Sequence, residues 1–274
     1  MRSIALIFIA IGFLMAIPLS ADGQKGYELG GWLGTSFYFG DLNTNLKITK
    51  PGPALGLMAR YNFNNRISVR STLSYGNVGA DDADSENNFE RNRNLSFRSN
   101  IFDLSNVIEF NFFKFEHGSQ TYNKTPYFYG GFNIFRYNPT TKLNGQKYSL
   151  RDYGTEGQQA GQEYGQINGG LLLGGGFKFA LNRHLSINIE VSTRFLFTDY
   201  LDDVSTVYPD KTLLQASRGD IAVALSDRSL SEGLGAAGRQ RGDRKAKDQY
   251  TFAGISVMKY FGGIECPEIS RIRK

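Results

Sequence analysis

The chain holds two histidines, His117 and His184, and one cysteine, Cys266. Nucleophilic catalysis needs a nucleophile, a base and an orienting acid within hydrogen-bond reach of one another. No motif assembles such a set here, and both histidines fall in short polar turns, where solvated imidazoles are expected. No catalytic residue is assigned. Asp202-Asp203 offers paired carboxylates for a metal or for acid chemistry, and a loop cap is the other reading. The run DDADSENNFERNR (81–93) clusters carboxylates of the kind calcium takes. It lacks the spacing of an EF-hand loop, so a solvated loop is expected. Gly174–Gly176 shares only its glycines with a phosphate cradle, because no helix and no Lys-Ser/Thr pair follows. No metal and no cofactor are expected.

The tripeptide RGD occurs twice, at Arg218–Asp220 and Arg241–Asp243. Three-residue matches arise by chance, and receptor binding is not the expectation. Cys266, followed by Pro267, is the residue to single out as a partner contact. A single cysteine excludes an internal disulfide. In an exported chain it sits in an oxidising compartment. Two readings stay open: an intermolecular bridge or close contact with a partner, or a free thiol in a frayed tail.

Something must position these residues, and the pattern that dominates the chain is alternation. In Leu185–Phe197, LSINIEVSTRFLF, residues Leu185, Ile187, Ile189, Val191, Phe195 and Phe197 fall on one face. Ser186, Asn188, Glu190, Ser192 and Arg194 fall on the other. A period of two means a strand, because successive side chains point to opposite faces. At this length the strand can cross a bilayer, which takes roughly 9–11 tilted residues. Seven more stretches read the same way: Tyr27–Phe39, Ala54–Phe63, Arg66–Gly76, Leu95–Phe113, Pro126–Tyr137, Ile167–Phe179 and Tyr250–Phe261. Asn64-Asn65 reads as a tight turn, since Asn tolerates positive φ. The glycines of the first strand suit a curved wall.

Met1–Ala21 reads as a secretory signal peptide, with Arg2 as the basic region, Ile4–Ile17 as the apolar region and Leu19-Ser20-Ala21 as the cleavage site. Residues 22–263 form the barrel and 264–274 a C-terminal tail. Mean hydropathy is −0.34. Beyond the leader no run of about 18 apolar residues occurs, which excludes further helical spans. Cations exceed anions by 5. The two signs are interspersed, so the basic balance does not point to nucleic acid.

Connections alternate in length. Segments 40–53, 77–94, 138–166 and 200–249 are long, whereas 64–65, 114–125 and 181–184 are short. The expected fold is therefore all-β, an eight-stranded antiparallel transmembrane β-barrel of outer-membrane type, with short periplasmic turns and long extracellular loops. Both termini would be periplasmic. Segment 200–249 carries a weak helical pattern near 212–225 and has room for another hairpin, which would make ten strands. A soluble eight-stranded barrel or sandwich shares the alternation. Three features favour the membrane: the export signal, the polar faces and the strand ends. The polar faces carry Ser, Thr, Asn and Gly with isolated charges at Arg70, Asp103, Glu109, Glu190 and Arg194, suited to pairing inside a narrow lumen. Aromatics at Tyr61, Phe63, Phe112, Phe113, Tyr127, Phe197 and Tyr200 sit near strand ends, as interface girdles do. Eight strands leave an interior that side chains fill, so no wide pore is expected.

Six stretches carry a family resemblance: ELGGWLGTSFYFGDLN (Glu28–Asn43), ARYNFNNRISVR (Ala59–Arg70), NLSFRSNIFDLSNVIEFNFF (Asn94–Phe113), YLDDVSTVYPD (Tyr200–Asp210), ALSDRS (Ala224–Ser229) and GRQRGD (Gly238–Asp243). With them the chain resembles the PorG family, the outer-membrane β-barrel component of the type IX secretion system. The resemblance implies a non-enzymatic anchor that ties a periplasmic ring of PorK and PorN type proteins to the outer membrane. It does not imply the protein-conducting pore, which belongs to a much larger barrel of that system. The expected partners are outer-membrane lipid and the ring, with Cys266 and Pro267 near the contact. A small passive channel or surface-stabilising barrel is the alternative.

Overall fold

A computed structural model of the chain describes residues 24–44, 47–48 and 50–263. The leader reading of residues 1–21, and Cys266 and Pro267, lie outside them. Eight long strands follow in order: β1 (Gly26–Phe39), β2 (Gly52–Asn62), β3 (Ile67–Asp81), β4 (Ser96–Asn111), β5 (Lys124–Leu143), then β7 (Ile167–Ala180), β8 (Leu185–Leu196) and β9 (Gln249–Phe261). A four-residue strand, β6 (Gln146–Ser149), hairpins onto the far end of β5 and takes no part in the wall. Each long strand pairs antiparallel with the next, and β9 returns to β1 from Tyr27↔Phe261 to Phe39↔Gln249. The result is a closed eight-stranded antiparallel barrel of the outer-membrane type. Closure leaves the eight-stranded wall, among the described residues, without an unpaired edge strand. The ten-stranded alternative fails: among the described residues, 200–248 hold one isolated bridge, Val207↔Gln240.

Alternation explains the wall. Trp32 is 6% exposed and its neighbour Leu33 is 72% exposed. The same contrast runs around the barrel, with Leu57, Leu73, Leu104, Ile134, Leu173, Ile189 and Ile255 all exposed on the outside. The outward row is mostly apolar, with a Ser71–Asn106 hydrogen bond as an exception, and the inward row mostly polar or aromatic, the inverse of a water-soluble barrel. Two glycines make the interior possible. A Cβ on Gly56 would lie 2.4 Å from Nε1 of Trp32, and one on Gly174 would lie 2.5 Å from Cζ of Tyr129. The GGG run thus clears space for an inward tyrosine ring.

Three expectations need correction. The 64–65 turn does not use positive φ, which among the described non-glycine residues occurs at Lys50, Asn94, Asn144 and Asp203. It is closed by a side chain instead, with Asn64 Oδ1 accepting from the backbone N–H groups of Arg66 and Ile67, each at 2.8 Å. Second, residues 77–81 and 138–143 are strand rather than loop. They pair with β4 as far as Asp81↔Ser96 and Arg98↔Thr140, and Val78, Ala80 and Phe97 bury their side chains above the apolar belt. Third, Tyr127 and Tyr200 are not girdle residues. Tyr127 points inward and is 2% exposed, and Tyr200 stacks on Tyr164 at 4.6 Å.

The long connections carry short helices: α1 (Asn88–Arg93), α2 (Leu150–Tyr153), α3 (Lys211–Arg218) and α4 (Asp220–Ser226). The last two realise the helical pattern near 212–225. Asp210 caps α3, accepting from the N–H groups of Thr212 and Leu213. One hydrophobic cluster runs from Trp32, Met258 and Phe252 in the lumen to Leu201, Val204 and Leu225 in the loops. The barrel and its long loops therefore share a core.

Candidate functional site

The lumen contains four acids, Glu28, Asp103, Glu109 and Glu190, and four bases, Arg60, Arg70, Lys178 and Arg194. Glu109 sits at the centre. It lies 2.8 Å from Arg60 Nε, 2.9 Å from Arg70 Nε and 2.6 Å from Lys178 Nζ. Arg60 also donates to Glu28 at 2.8 Å, and Arg70 to Glu190 at 2.6 Å. Asp103 accepts from Asn133 and from the Tyr250 hydroxyl, each at 2.6 Å, with Arg194 Nε 3.8 Å away. Aromatic faces take the rest: Arg70 over Tyr129, Lys178 over Tyr127 and Arg194 over Phe252, all within 4.4 Å of the ring centroid.

All five charges singled out from the sequence lie in this network. Glu28, Arg60 and Lys178 belong to it as well. Their signal was available, because each occupies an inward-parity position in its strand. Buried ion pairs add little net stability relative to apolar packing. Their effect here is to fill the lumen. A cavity bounded by Trp32, Met58, Arg70, Glu190, Arg194 and Phe252 measures about 10 Å³, room for roughly one water.

The short-turn end is closed from below, and this corrects the reading of His117 as solvated. The segment between β4 and β5 folds under the barrel and buries Phe115 and His117. The His117 ring stacks on Tyr260 at 4.6 Å, and its Nε2 lies 3.4 Å from Glu28 Oε1. The His117 backbone N–H donates to Gln24 Oε1 at 2.7 Å, while the Asn65 side-chain amide donates to Glu116 at 2.6 Å. A turn of this length is long enough to reach across the opening. His184 is exposed, as expected of a turn residue.

The long-loop end is capped. Arg93 donates to both carboxylate oxygens of Asp82, at 2.8 and 2.7 Å, to the carbonyl of Arg241 at 2.7 Å and to that of Asp41 at 2.7 Å. One guanidinium thus joins three loops. Arg241 reaches Glu156 at 3.1 Å and the Asp203 carbonyl at 2.5 Å. Most of the run 81–93 is exposed, as expected of a solvated loop, but Asp82, Glu90 and Arg93 turn inward and are buried in the cap. Neither RGD is presented to solvent as a free loop. Arg241 is 1% exposed, and Arg218 donates to Glu163 at 2.6 Å and to the carbonyls of Asp152 and Gln158.

Asp202 and Asp203 part company. Asp203 accepts from Thr155 and, at 2.6 Å, from the Tyr164 hydroxyl. Burial lifts its carboxyl to about 6 against the pull of Arg241. Asp202 Oδ2 lies 2.5 Å from the Tyr38 hydroxyl, which is also 2.9 Å from Asp248 Oδ1. Burial holds Asp202 well above the usual carboxylate range, with the Asp248 carboxylate adding to it. Asp248 is raised in the same direction by burial and then by Asp199. Asp41, below Arg93, is lifted by burial to about 7. The cap is a store of strongly perturbed carboxyls, each used to join loops.

Residues 5–219 match the family described as Domain of unknown function (DUF6089). Among curated proteins no match is found. Several solved structures are similar in fold. Ail, the attachment invasion locus protein of Yersinia pestis, is 11% identical with a TM-score of 0.41, covering 88% of this chain and 100% of its own. Neisserial surface protein A (NspA) is 10% identical, TM-score 0.43, covering 88% and 100%. The outer membrane protein OprG from Pseudomonas aeruginosa is 13% identical, TM-score 0.43, covering 86% and 97%.

Proposed function

The chain belongs to the DUF6089 family, and we propose that it is an outer-membrane barrel that acts by anchoring and docking, as a structural component of a type IX secretion machine of the PorG kind. The observation that carries this reading is a lumen filled with ion pairs and closed at both ends, set inside an exposed apolar belt. A bilayer covers the belt, whereas water would leave it exposed around the whole circumference. A closed lumen suits a protein that holds position rather than one that passes solutes. The resemblance in Glu28–Asn43, Ala59–Arg70 and Asn94–Phe113 supports the secretion role. In this reading the barrel is not an enzyme. Its long loops face outward, its short turns face the periplasm, and the floor segment with the tail around Cys266 and Pro267 meets the ring.

The test is affinity purification of a tagged barrel from detergent-solubilised membranes. Periplasmic ring proteins of PorK and PorN type are expected to co-purify in fixed ratio. Recovery of the barrel alone, from cells that make the ring, would remove the secretion role. The cap held by Arg93 and Arg241 favours a second reading, a surface-stabilising barrel with the same membrane address and no ring. A small passive channel fits the lumen less well, and conductance above background in planar bilayers would be needed to support it.

A further inference from the structure

We propose that the short-turn rim carries a headgroup site for an anionic phospholipid, between the β4–β5 segment and the outer face of β5 and β7. This inference rests on the bilayer reading above and names a particular lipid contact within it. A groove of about 750 Å³ opens there. Its polar wall is Arg66, Lys114 and Lys124, and its apolar wall is Phe113, Phe177 and Phe179. Tyr122 sits beside Lys114, whose Nζ stands 5.7 Å from the ring centroid.

Three observations point to a phosphate-bearing lipid. First, the cations are left for an outside anion. Among the described residues no carboxylate pairs with Arg66, Lys114 or Lys124, and Arg66 is oriented by donating to the Phe112 carbonyl at 2.8 Å. The nearby Glu116 is turned away to Asn65. Second, the groove opens on the lipid side of the wall. Phe177 and Phe179 continue the outward row of Leu171 and Leu173, and Pro126 lies opposite Phe177 in the register. A headgroup held by the lysines would lay its acyl chains on these rings and on the belt. Third, the cations stand at the level of exposed aromatics Phe112, Phe113 and Tyr27, where an interface is expected. Exposed Lys25, Arg183 and Lys259 extend the same positive collar around this end. Cations within a Debye length of an anionic leaflet are attracted to it, and Arg and Lys together give a phosphate a fork and a point charge. An acidic protein surface would match the charge but not the row of phenylalanines leading into the hydrocarbon.

The experiment uses the purified full-length barrel and Lys114→Gln/Lys124→Gln, both sites being exposed. Native mass spectrometry follows retention of phosphatidylglycerol against phosphatidylcholine, with insertion into phosphatidylcholine vesicles measured in parallel. The wild type is expected to retain one phosphatidylglycerol preferentially. The double variant should retain it about 10- to 30-fold less well, since each substitution takes one cation away from the phosphate. Equal retention by the two proteins overturns the site. Displacement of the lipid by inorganic phosphate at similar concentration assigns the residues to a free anion, and displacement by poly-glutamate with no lipid preference assigns them to an acidic protein. Either outcome overturns the lipid assignment. If the wild type inserts into vesicles but shows no headgroup preference, the site falls and the bilayer reading stands. If it enters no vesicle, the bilayer reading falls first and takes the site with it.

Discussion

Arg93 lies on Asp82 through two buried hydrogen bonds of 2.8 and 2.7 Å, while its other N–H groups reach the carbonyls of Asp41 and Arg241. The contact with Arg241 spans 148 residues of sequence. Removing the guanidinium leaves the buried Asp82 carboxylate without its cation, with the Leu95 N–H at 2.9 Å as its remaining donor, and frees three loops at once. Arg93→Ala is expected to destabilise the cap by about 3–5 kcal/mol, the usual cost of breaking one side of a buried pair. Limited proteolysis in detergent micelles checks it: residues 197–248 should be cut faster while the strand portion stays protected. Arg93→Lys should recover only part of the resistance, because an ammonium cannot pair with both oxygens in the plane of the carboxylate.

The Tyr38 hydroxyl has one proton and two carboxyl neighbours, Asp202 at 2.5 Å and Asp248 at 2.9 Å. It can donate to one of them, so the other must bring a proton of its own. Asp202, Asp248, Asp41 (about 7) and Asp203 (about 6) are all raised. A raised carboxyl binds its proton more tightly folded than unfolded, so stability rises as pH falls through the folded value toward the ordinary one near 4. The cap should therefore resist protease better at pH 5.5 than at pH 8. Asp202→Asn supplies a permanent donor to the Tyr38 oxygen. It should raise resistance at pH 8 and shrink the difference between the two pH values. Unchanged pH dependence would assign the effect to other groups.

The wall was legible because a period of two needs only neighbouring residues. Leu33 beside Trp32 and Leu57 beside Met58 declare their faces locally. It blurred in β5, where PYFYGGFNIFRY is aromatic on both faces, with Tyr127, Tyr129 and Tyr137 inward and Phe128 and Phe132 outward. That is why Tyr127 read as a girdle residue. The cap was not legible, because its contacts join residues far apart in sequence: Arg93 with Arg241, Tyr38 with Asp248, Glu156 with Thr206. Loop composition gave no sign that Asp82, Glu90 and Arg93 would be buried within the otherwise exposed run 81–93. His117 read as a turn residue for the same reason, since nothing near it in sequence announces that Tyr260 will stack on it.

Glu109 meets three cations, Arg60, Arg70 and Lys178. Glu109→Gln keeps the shape and removes the charge, leaving the lumen one anion short. A loss of about 3–5 kcal/mol is expected, read as a lower temperature for conversion of the compact band to the unfolded band on cold-run gels. Glu109→Gln/Lys178→Met restores the balance of charge and should recover part of that loss. Additive effects of the two substitutions would show that Lys178 does not act through Glu109.

Leu57, Leu73 and Leu104 stand in one register row across β2, β3 and β4, at the middle of the outward belt, and each is about half exposed or more. In water, an arginine at such a position costs almost nothing, because the site is already solvated. At the midplane of a bilayer it costs about 2–4 kcal/mol, falling to about 0–1 near the interface. Leu57→Arg and Tyr27→Arg therefore separate the two environments, since Tyr27 is similarly exposed but lies at the short-turn rim, opposite Tyr61 and Phe261. Denaturant unfolding from lipid vesicles should show a penalty for Leu57→Arg that is several times that for Tyr27→Arg. Equal and small penalties would place the belt in water, and the anchoring role would have nothing to anchor in.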